Sequence, residues 1–136
     1  MSRLPKASNS HEHPNGKLYQ GNSIDWLASL DDASIDLVFA DPLYNIKKAD
    51  WDSFESQEHT IAWSIQWISH ASRVLKPTGS LYVCGFSEIL ADLKHPASKY
   101  FKHCRWLRFG ITRTRRIWAA IGGVLMRASS ISANPM

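Results

Sequence analysis

The sequence lacks any apolar run long enough to cross a membrane. No stretch of about 18 consecutive apolar residues occurs, and the polar start of the chain contains no apolar segment typical of secretory signals. Cysteine is also scarce: Cys84 and Cys104 are the only two, and their spacing fits no metal-binding motif. We therefore expect a cytoplasmic protein with no membrane partner, no metal site and two reduced, buried cysteines.

Acidic residues are missing from the last part of the chain. Residues 1–107 contain 11 Lys and Arg against 12 Asp and Glu, whereas residues 108–136 contain five Arg and no acid. The formal net charge of +4 therefore comes from this arginine-rich segment (108–136). The chain as a whole is 44% apolar and 21% charged, which is the balance of a globular domain rather than of a disordered chain.

Strand and helix patterns alternate along the chain. Strands are predicted at 17–21, 35–40, 80–84 and 100–107, and helices at 24–30, 55–75 and 88–93. The run from Ile35 to Ala40 is nearly all apolar, which is typical of a strand covered on both faces. This order predicts an α/β domain with crossover connections and a mostly parallel sheet, preceded by a disordered leader at 1–16.

A polar loop follows the apolar strand directly. In open α/β sheets, ligands bind outside the carboxyl ends of the strands. Asp41, Pro42, Leu43 and Tyr44 begin this loop and combine an acceptor, a rigid turn and an aromatic ring. The tetrapeptide alone fits either a ligand site or an ordinary turn with a surface aromatic.

Four stretches of the chain together resemble the amino-group DNA methyltransferases that carry a D-P-P-Y motif. They are Y-Q-G-N-S (19–23), I-D-L-V-F-A-D-P-L-Y-N-I (35–46), R-V-L-K-P-T-G (73–79) and L-Y-V-C (81–84). The resemblance spans about residues 17–107 and implies a partial Rossmann-like fold with S-adenosyl-L-methionine as methyl donor. It also implies double-stranded DNA as substrate, with adenine N6 favoured over cytosine N4 because the motif begins with Asp.

The resemblance assigns a chemical role to each residue of the motif. A duplex hides the amine, so the target base has to be flipped into a pocket. Asp41 and the backbone carbonyl of Pro42 would accept its two N–H groups, which directs the nitrogen lone pair at the methyl group. Tyr44 would stack on the base, a contact worth about 1–3 kcal/mol. Transfer is direct, so positioning supplies most of the rate, and Asp41 would also lie against the cofactor.

The residues in and around the motif include further candidate DNA contacts and one departure from the family pattern. Asn45, Lys47, Lys48 and Trp51 are candidate DNA contacts, the lysines with phosphates and Trp51 as a wedge beside the flipped base. A solvated loop with one aromatic folded back is the alternative. Leu43 stands where the family has a second proline, and it should loosen the loop because it restores φ freedom.

Other aromatic and basic residues have simpler interpretations. The helical spacing of Trp63 and Trp67 indicates core positions rather than base platforms. Four scattered basic residues fit either a solvent-exposed face or a surface toward the DNA backbone; they are Lys94, Lys99, Lys102 and Arg105.

The glycine-rich cofactor loop of the family, F-x-G-x-G after a strand, is absent from the sequence. This matches a permuted class in which the catalytic half comes first, so we divide the chain into a leader (1–16), a catalytic half (17–107) and the arginine-rich segment. Codons allowed for residues 108–113 read I-W-D-Y-K two bases later, and further permitted codons give W-G-R-S-H-E, similar to the family's continuation. We therefore expect a truncated, frameshifted copy that is inactive alone.

Three other functions stay open at this point. The chain could belong to an N4-cytosine methyltransferase. It could be a non-catalytic DNA-binding remnant whose Arg113, Arg115 and Arg116 contact phosphates. Related N-P-P-Y loops methylate protein glutamine, but Asp41 in place of Asn argues against that substrate.

Overall fold

The computed structural model describes residues 9–43, 45, 53–108 and 122–127. Within these residues, strands and helices alternate through most of the chain, as the sequence predicted. The elements are β1 (Asn9–His13), β2 (Gly16–Gln20), α1 (Ser23–Ser29), β3 (Ile35–Ala40), α2 (Gln57–Val74), β4 (Leu75–Gly85), α3 (Ser87–Ala97), a 3-10 turn (Ser98–Tyr100), β5 (His103–Arg108) and β6 (Gly122–Arg127).

The first two strands form a separate antiparallel hairpin. Its register runs from Asn9 opposite Gln20 to His13 opposite Gly16, and the Lys17 Nζ bonds Glu12 Oε1 at 2.6 Å. The prediction of a disordered leader over residues 1–16 is thus corrected from Asn9 onward. Two short segments joined by a tight turn satisfy each other's backbone groups, which the polar composition did not reveal.

The main sheet has four strands in the order β3-β4-β6-β5. β3 and β4 are parallel, and β6 lies antiparallel between β4 and β5, so that three of the four strands point the same way. The predicted α/β fold is confirmed, with a parallel pair formed by β3 and β4, whereas both pairings of β6 are antiparallel. The division predicted at residue 107 does not separate the sheet, because β6 comes from the arginine-rich segment.

The start of β4 differs from the prediction of a turn over 76–79. β4 begins at Leu75, directly after α2, and Leu75 pairs with Ile35. The next pair is Leu37 with Ser80, so the register shifts and β4 holds three more residues than β3 in this interval. An irregularity of this kind accommodates a proline and a glycine without ending the strand.

The core lies on one side of the sheet. Alternate residues of β4, Leu81 and Val83, are buried there against α2 and α3, and Val38 and Ala40 of β3 pack against the same cluster. The opposite side of β3 is open, with 55% of Leu37 and 66% of Phe39 exposed to solvent. Strands of a parallel pair are normally covered on both faces, so this face of β3 is unusual.

Helix α2 carries the largest share of the helical core. Its buried positions recur every three or four residues and place one stripe on the sheet. Each large apolar side chain buried in this way contributes about 1.5–3 kcal/mol. In the described part of the chain, no helix combines the length and apolar character needed to span a bilayer.

Candidate functional site

The residues that follow β3 lie at the carboxyl edge of the parallel pair. The last register pair is Ala40 with Val83, and the next residue, Asp41, has an exposed side chain. The Asp41 carboxylate lies near Cys84 on β4. Burial raises the pKa of the Cys84 thiol, and the negative charge of Asp41 raises it further. The carboxylate therefore stands at the strand tip, outside the core, where the sequence predicted it.

Asn45, four residues after Asp41, is held by a hydrogen bond to the segment before α2. Asn45 has a left-handed backbone with φ of 54°, a conformation that asparagine tolerates better than most residues. Its Oδ1 accepts a hydrogen bond of 2.8 Å from the backbone N–H of Phe54, and the Phe54 ring packs against Trp63 with centroids 5.5 Å apart. Asn45 thus acts as a loop anchor in this structure, while its predicted contact with DNA remains a proposal.

The structure describes part of the predicted motif and not all of it. Pro42 and Leu43 follow Asp41 and are half-buried. Four predicted site residues lie outside the described residues; they are Tyr44, Lys47, Lys48 and Trp51. Their roles rest on the sequence alone.

A pocket of about 220 Å³ opens beside Asp41 and Pro42. We call it the tryptophan pocket, because three of its walls are indole rings. It is enclosed by α1, the end of β3 and α2, with the lining residues Ser23, Trp26, Leu27, Val38, Phe39, Ala40, Asp41, Pro42, Trp63 and Trp67. Pockets for drug-sized ligands usually measure roughly 300–1,000 Å³, so this one is smaller, and its volume fits a single ring system.

The sequence analysis singled out only some of the residues that line this pocket. Trp67 is a core residue as predicted, with 4% of its surface exposed, but it also lines the pocket together with Trp63. Ser23 and Trp26, on the helix before β3, were not predicted as site residues. The available signal was the set of Trp residues on the two helices that flank the Asp41 strand, but only packing shows that their rings converge.

Two indole N–H groups of this pocket are buried without a hydrogen-bond partner in the described part of the chain. They belong to Trp26 and Trp67. A buried donor left unpaired costs about 1–3 kcal/mol. The Trp26 ring lies 6.2 Å from that of Tyr19 on β2, so the hairpin contacts the α1 side of the pocket.

The scattered basic residues do not converge on this site. Lys94 lies over the Trp106 ring at 5.6 Å, and Lys99 lies over the Tyr100 ring at 4.9 Å. These residues belong to α3, the 3-10 turn and β5, and β5 is the strand farthest from β3 in the sheet. Their location therefore supports a solvent-exposed surface apart from the candidate site.

Neither cysteine has the environment of a nucleophile. Both are free and half-buried, so they are less buried than the sequence analysis expected. Burial raises the pKa of the Cys104 thiol, and the Lys94 ammonium offsets this only in part. A raised pKa keeps both thiols protonated, whereas the reactive form is the thiolate. Among the described residues, no group of three or more His, Cys, Asp or Glu could hold a metal ion.

The described residues do not form a complete site for S-adenosyl-L-methionine. Asp41 supplies one carboxylate beside the tryptophan pocket, and the sequence contains no F-x-G-x-G loop.

Comparisons with known proteins all match this chain to DNA methyltransferases. Residues 35–124 match the model of the N6/N4 methyltransferase family, described as DNA methylase. The chain is 39% identical over 67 residues to the type II methyltransferase M1.MboII of Moraxella bovis, a match that covers 49% of this chain and 26% of the relative. It is 27% identical over 113 residues to the type II methyltransferase M.BamHI of Bacillus amyloliquefaciens, covering 77% and 26% of the two chains.

Solved structures share the fold. One is described as a DNA modification methylase of Thermus thermophilus in complex with S-adenosyl-L-methionine; its TM-score is 0.58 at 18% identity, covering 85% of this chain and 54% of that one. Another is the cytosine-N4-specific PvuII DNA methyltransferase, with a TM-score of 0.55 at 19% identity, covering 79% and 46%. The chain thus spans about a quarter of these two curated relatives and about half of these structures.

Proposed function

The chain belongs to the N6/N4 DNA methylase family, whose methyl donor is S-adenosyl-L-methionine, and from this membership we propose that it supplies the part of a site-specific DNA methyltransferase that holds the acceptor amine. The proposed acceptor is the N6 amine of adenine in double-stranded DNA. The observation that carries the proposal is the exposed carboxylate of Asp41 at the tip of β3, beside a pocket that admits one ring system.

The proposed roles follow from the chemistry of an exocyclic amine. Its lone pair is delocalised into the base, so the amine is a weak nucleophile. Asp41 accepts one N–H and the Pro42 carbonyl accepts the other, which favours a tetrahedral nitrogen with its lone pair free. The bound donor supplies an electrophilic methyl group, and this chain's residues bind and orient the base, with Tyr44 stacking on its ring. Base flipping is required because a duplex hides the amine.

Adenine is the proposed base because the motif begins with Asp41, and cytosine N4 is the alternative. Both bases carry an exocyclic amine that the same two acceptors can hold. A purine is larger than a pyrimidine, so the two bases differ in how they fill the tryptophan pocket. Direct comparison of adenine with cytosine as ligands therefore distinguishes the two forms of the proposal.

The proposal is tested with free bases and the 136-residue chain, using tryptophan fluorescence as the signal. Adenine should quench the fluorescence and bind more tightly than purine, which lacks the amine. Asp41→Asn should remove most of this preference because a neutral amide oxygen is a weaker acceptor than a charged carboxylate oxygen. Asp31→Asn, an exposed acid at the other end of β3, is the matched control. Equal affinity for adenine and purine would contradict the proposal.

We propose in addition that the chain does not transfer methyl groups by itself. The support is the absence of a glycine-rich cofactor loop from the sequence. Calorimetry with S-adenosyl-L-methionine should show weak binding or none, and radiolabelled donor should leave DNA unlabelled. Labelled DNA above the level of an Asp41→Ala control would overturn this statement.

The frameshift remains a proposal about residues 108–136. It is supported by the complete absence of acids from this segment and by the readable alternative frame. The family match and β6 both extend past residue 108, so the question has to be decided at the level of the gene. The nucleotide sequence beyond codon 107 should encode a cofactor-binding half in another frame. The proposal fails if it encodes none.

A DNA-binding remnant is the second candidate function, and the arginine-rich segment is the observation that favours it. Such a remnant would bind DNA through phosphates, with an affinity that falls steeply with salt and is the same for all sequences. Replacing Arg113, Arg115 and Arg116 with Gln should then abolish DNA binding, whereas Asp41→Asn should leave it unchanged. These arginines lie outside the described part of the chain.

A further inference from the structure

The side chain of Arg73, in the last turn of α2, lies at the carboxyl end of α1. Its Nη2 donates to the carbonyl oxygens of Leu27 at 2.8 Å and Ala28 at 3.2 Å, and its Nη1 donates to that of Leu30 at 2.9 Å. The same guanidinium forms an ion pair with Asp32. One side chain thus joins α2 to the end of a helix that precedes it by more than 40 residues.

Helix α1 needs this support. It has seven residues, and isolated helices shorter than about 12–15 residues are marginal in water. Its amino end is capped locally, because Asn22 Oδ1 accepts from the backbone N–H of Ile24 at 2.9 Å. Its last carbonyls form the negative end of its dipole: that of Leu27 accepts from the Leu30 backbone N–H at 3.2 Å as well as from Arg73, and the Arg73 cation also satisfies those of Ala28 and Leu30.

The same two helices both line the tryptophan pocket. α1 contributes Trp26 and Leu27, and α2 contributes Trp63 and Trp67. Arg73 donates directly to the carbonyl of Leu27, one of these lining residues. We infer that Arg73 is a positioning residue, which fixes α1 against α2 and thereby sets the width of the tryptophan pocket.

Nearby contacts make this role separable from folding. Backbone bonds from the Ala33 N–H to the Arg73 carbonyl and from the Ser34 N–H to that of Val74 hold the entry to β3, and neither bond involves the Arg73 side chain. The side chain is 33% exposed, so its removal opens no closed cavity in the core. The inference concerns the shape of the pocket and holds whatever ring the pocket binds, so it does not depend on the proposed methyl transfer.

The test compares Arg73→Met with Lys76→Met. Lys76 bonds both carboxylate oxygens of Asp36, at 2.8 and 2.9 Å, and links the starts of β3 and β4 without contacting α1. The readout is the fluorine NMR spectrum of the chain labelled with 5-fluorotryptophan, with resonances assigned by single Trp→Phe substitutions. Arg73→Met should shift or broaden the Trp26 and Trp67 resonances and leave that of Trp106, on β5, in place.

Lys76→Met should lower the free energy of unfolding without moving any of these resonances. Arg73→Lys keeps the positive charge but loses the planar set of N–H donors. Its Trp26 and Trp67 resonances should therefore lie between those of the parent chain and those of Arg73→Met. Millimolar methylguanidinium added to Arg73→Ala should return the Trp26 resonance toward its parent position. The inference would be overturned if the Trp26 and Trp67 resonances stayed unchanged in Arg73→Met, or if they shifted equally in Lys76→Met. If Arg73→Met does not fold, the comparison of Arg73→Lys with the parent chain decides whether Arg73 positions α1.

Discussion

The Oδ1 atom of Asn45 accepts a hydrogen bond of 2.8 Å from the backbone N–H of Phe54, nine residues further along the chain. This bond joins the two ends of the loop that follows Asp41 and Pro42. Phe54 in turn packs on Trp63, a wall of the tryptophan pocket. Asn45 is therefore linked, through Phe54, to the same helix that shapes the pocket.

The anchor at Asn45 has two separable parts, its left-handed backbone and its side-chain acceptor. Asn45→Gly keeps the backbone conformation but loses the acceptor, so the free energy of unfolding should fall by about 0.5–1.5 kcal/mol. Asn45→Ala should cost roughly 1–2 kcal/mol more, because its Cβ disfavours a positive φ. Urea denaturation measures both. Ala33, with φ of 50°, is the control: Ala33→Gly should stabilise the protein, and a larger loss in Asn45→Gly than in Asn45→Ala would contradict this account.

Gly79 is required by close packing at the start of β4. A Cβ at this position would lie 2.9 Å from the Lys76 carbonyl oxygen and 3.2 Å from that of Asp36. Backbone atoms cannot yield as a flexible side chain does, so Gly79→Ala should cost about 1–3 kcal/mol. Gly21 has no atom within 4 Å of such a Cβ, so Gly21→Ala should change the melting temperature little. Equal effects in the two variants would show that the contact at Gly79 is not decisive.

The Asp41 carboxylate should be detectable through Cys84. Burial is the larger cause of the raised pKa of the Cys84 thiol and the Asp41 charge adds to it, so Asp41→Asn should lower this pKa. At fixed mildly alkaline pH, alkylation of Cys84 by iodoacetamide should become faster in Asp41→Asn. Cys104, which responds to burial and to Lys94, should react at an unchanged rate. An unchanged rate at Cys84 would place Asp41 farther from the thiol than the structure has it.

The raised pKa values of the two thiols also predict how the stability of the chain changes with pH. The folded chain keeps these thiols protonated while the unfolded chain ionises them, so the unfolded state binds fewer protons at high pH. The contribution of the two thiols to the free energy of unfolding is therefore fully present below the ordinary thiol pKa. It is lost as pH rises through the pKa values of the thiols in the folded chain. Denaturation midpoints measured from neutral to alkaline pH should fall less in a Cys84→Ser, Cys104→Ser variant than in the parent chain.

The open face of β3 should control self-association. Phe39 is 66% exposed on an apolar strand, and such edge strands promote pairing between chains. Phe39→Thr places a β-branched residue in the strand, so the free energy of unfolding should change by less than about 0.5 kcal/mol while light scattering decreases. Val83→Thr, at a position only 1% exposed, should instead destabilise the chain. Unchanged scattering in Phe39→Thr would exclude this face as the cause.

The order of the elements from β2 to β5 was predictable because it depends on local periodicity, whereas β1 and β6 were not predicted. The strand from Ile35 to Ala40 was predicted at its observed bounds, and the long helix before β4 within two residues. The K-P-T-G stretch was predicted as a turn, since proline and glycine usually end an element. Pairing with β3 kept it in the strand through a register shift, and no local pattern reports such pairing.

Sequence alone determined the family, the α/β class and the position of Asp41 at a strand tip, because an apolar run followed by Asp-Pro defines a strand and its end. Only the tertiary structure decided that Trp26, Trp63 and Trp67 enclose one pocket, that Arg73 holds the end of α1, and that β6 joins the sheet. These features depend on contacts between residues tens of positions apart. Such contacts are set by how helices pack on a twisted sheet, whereas propensity and periodicity act over only a few residues.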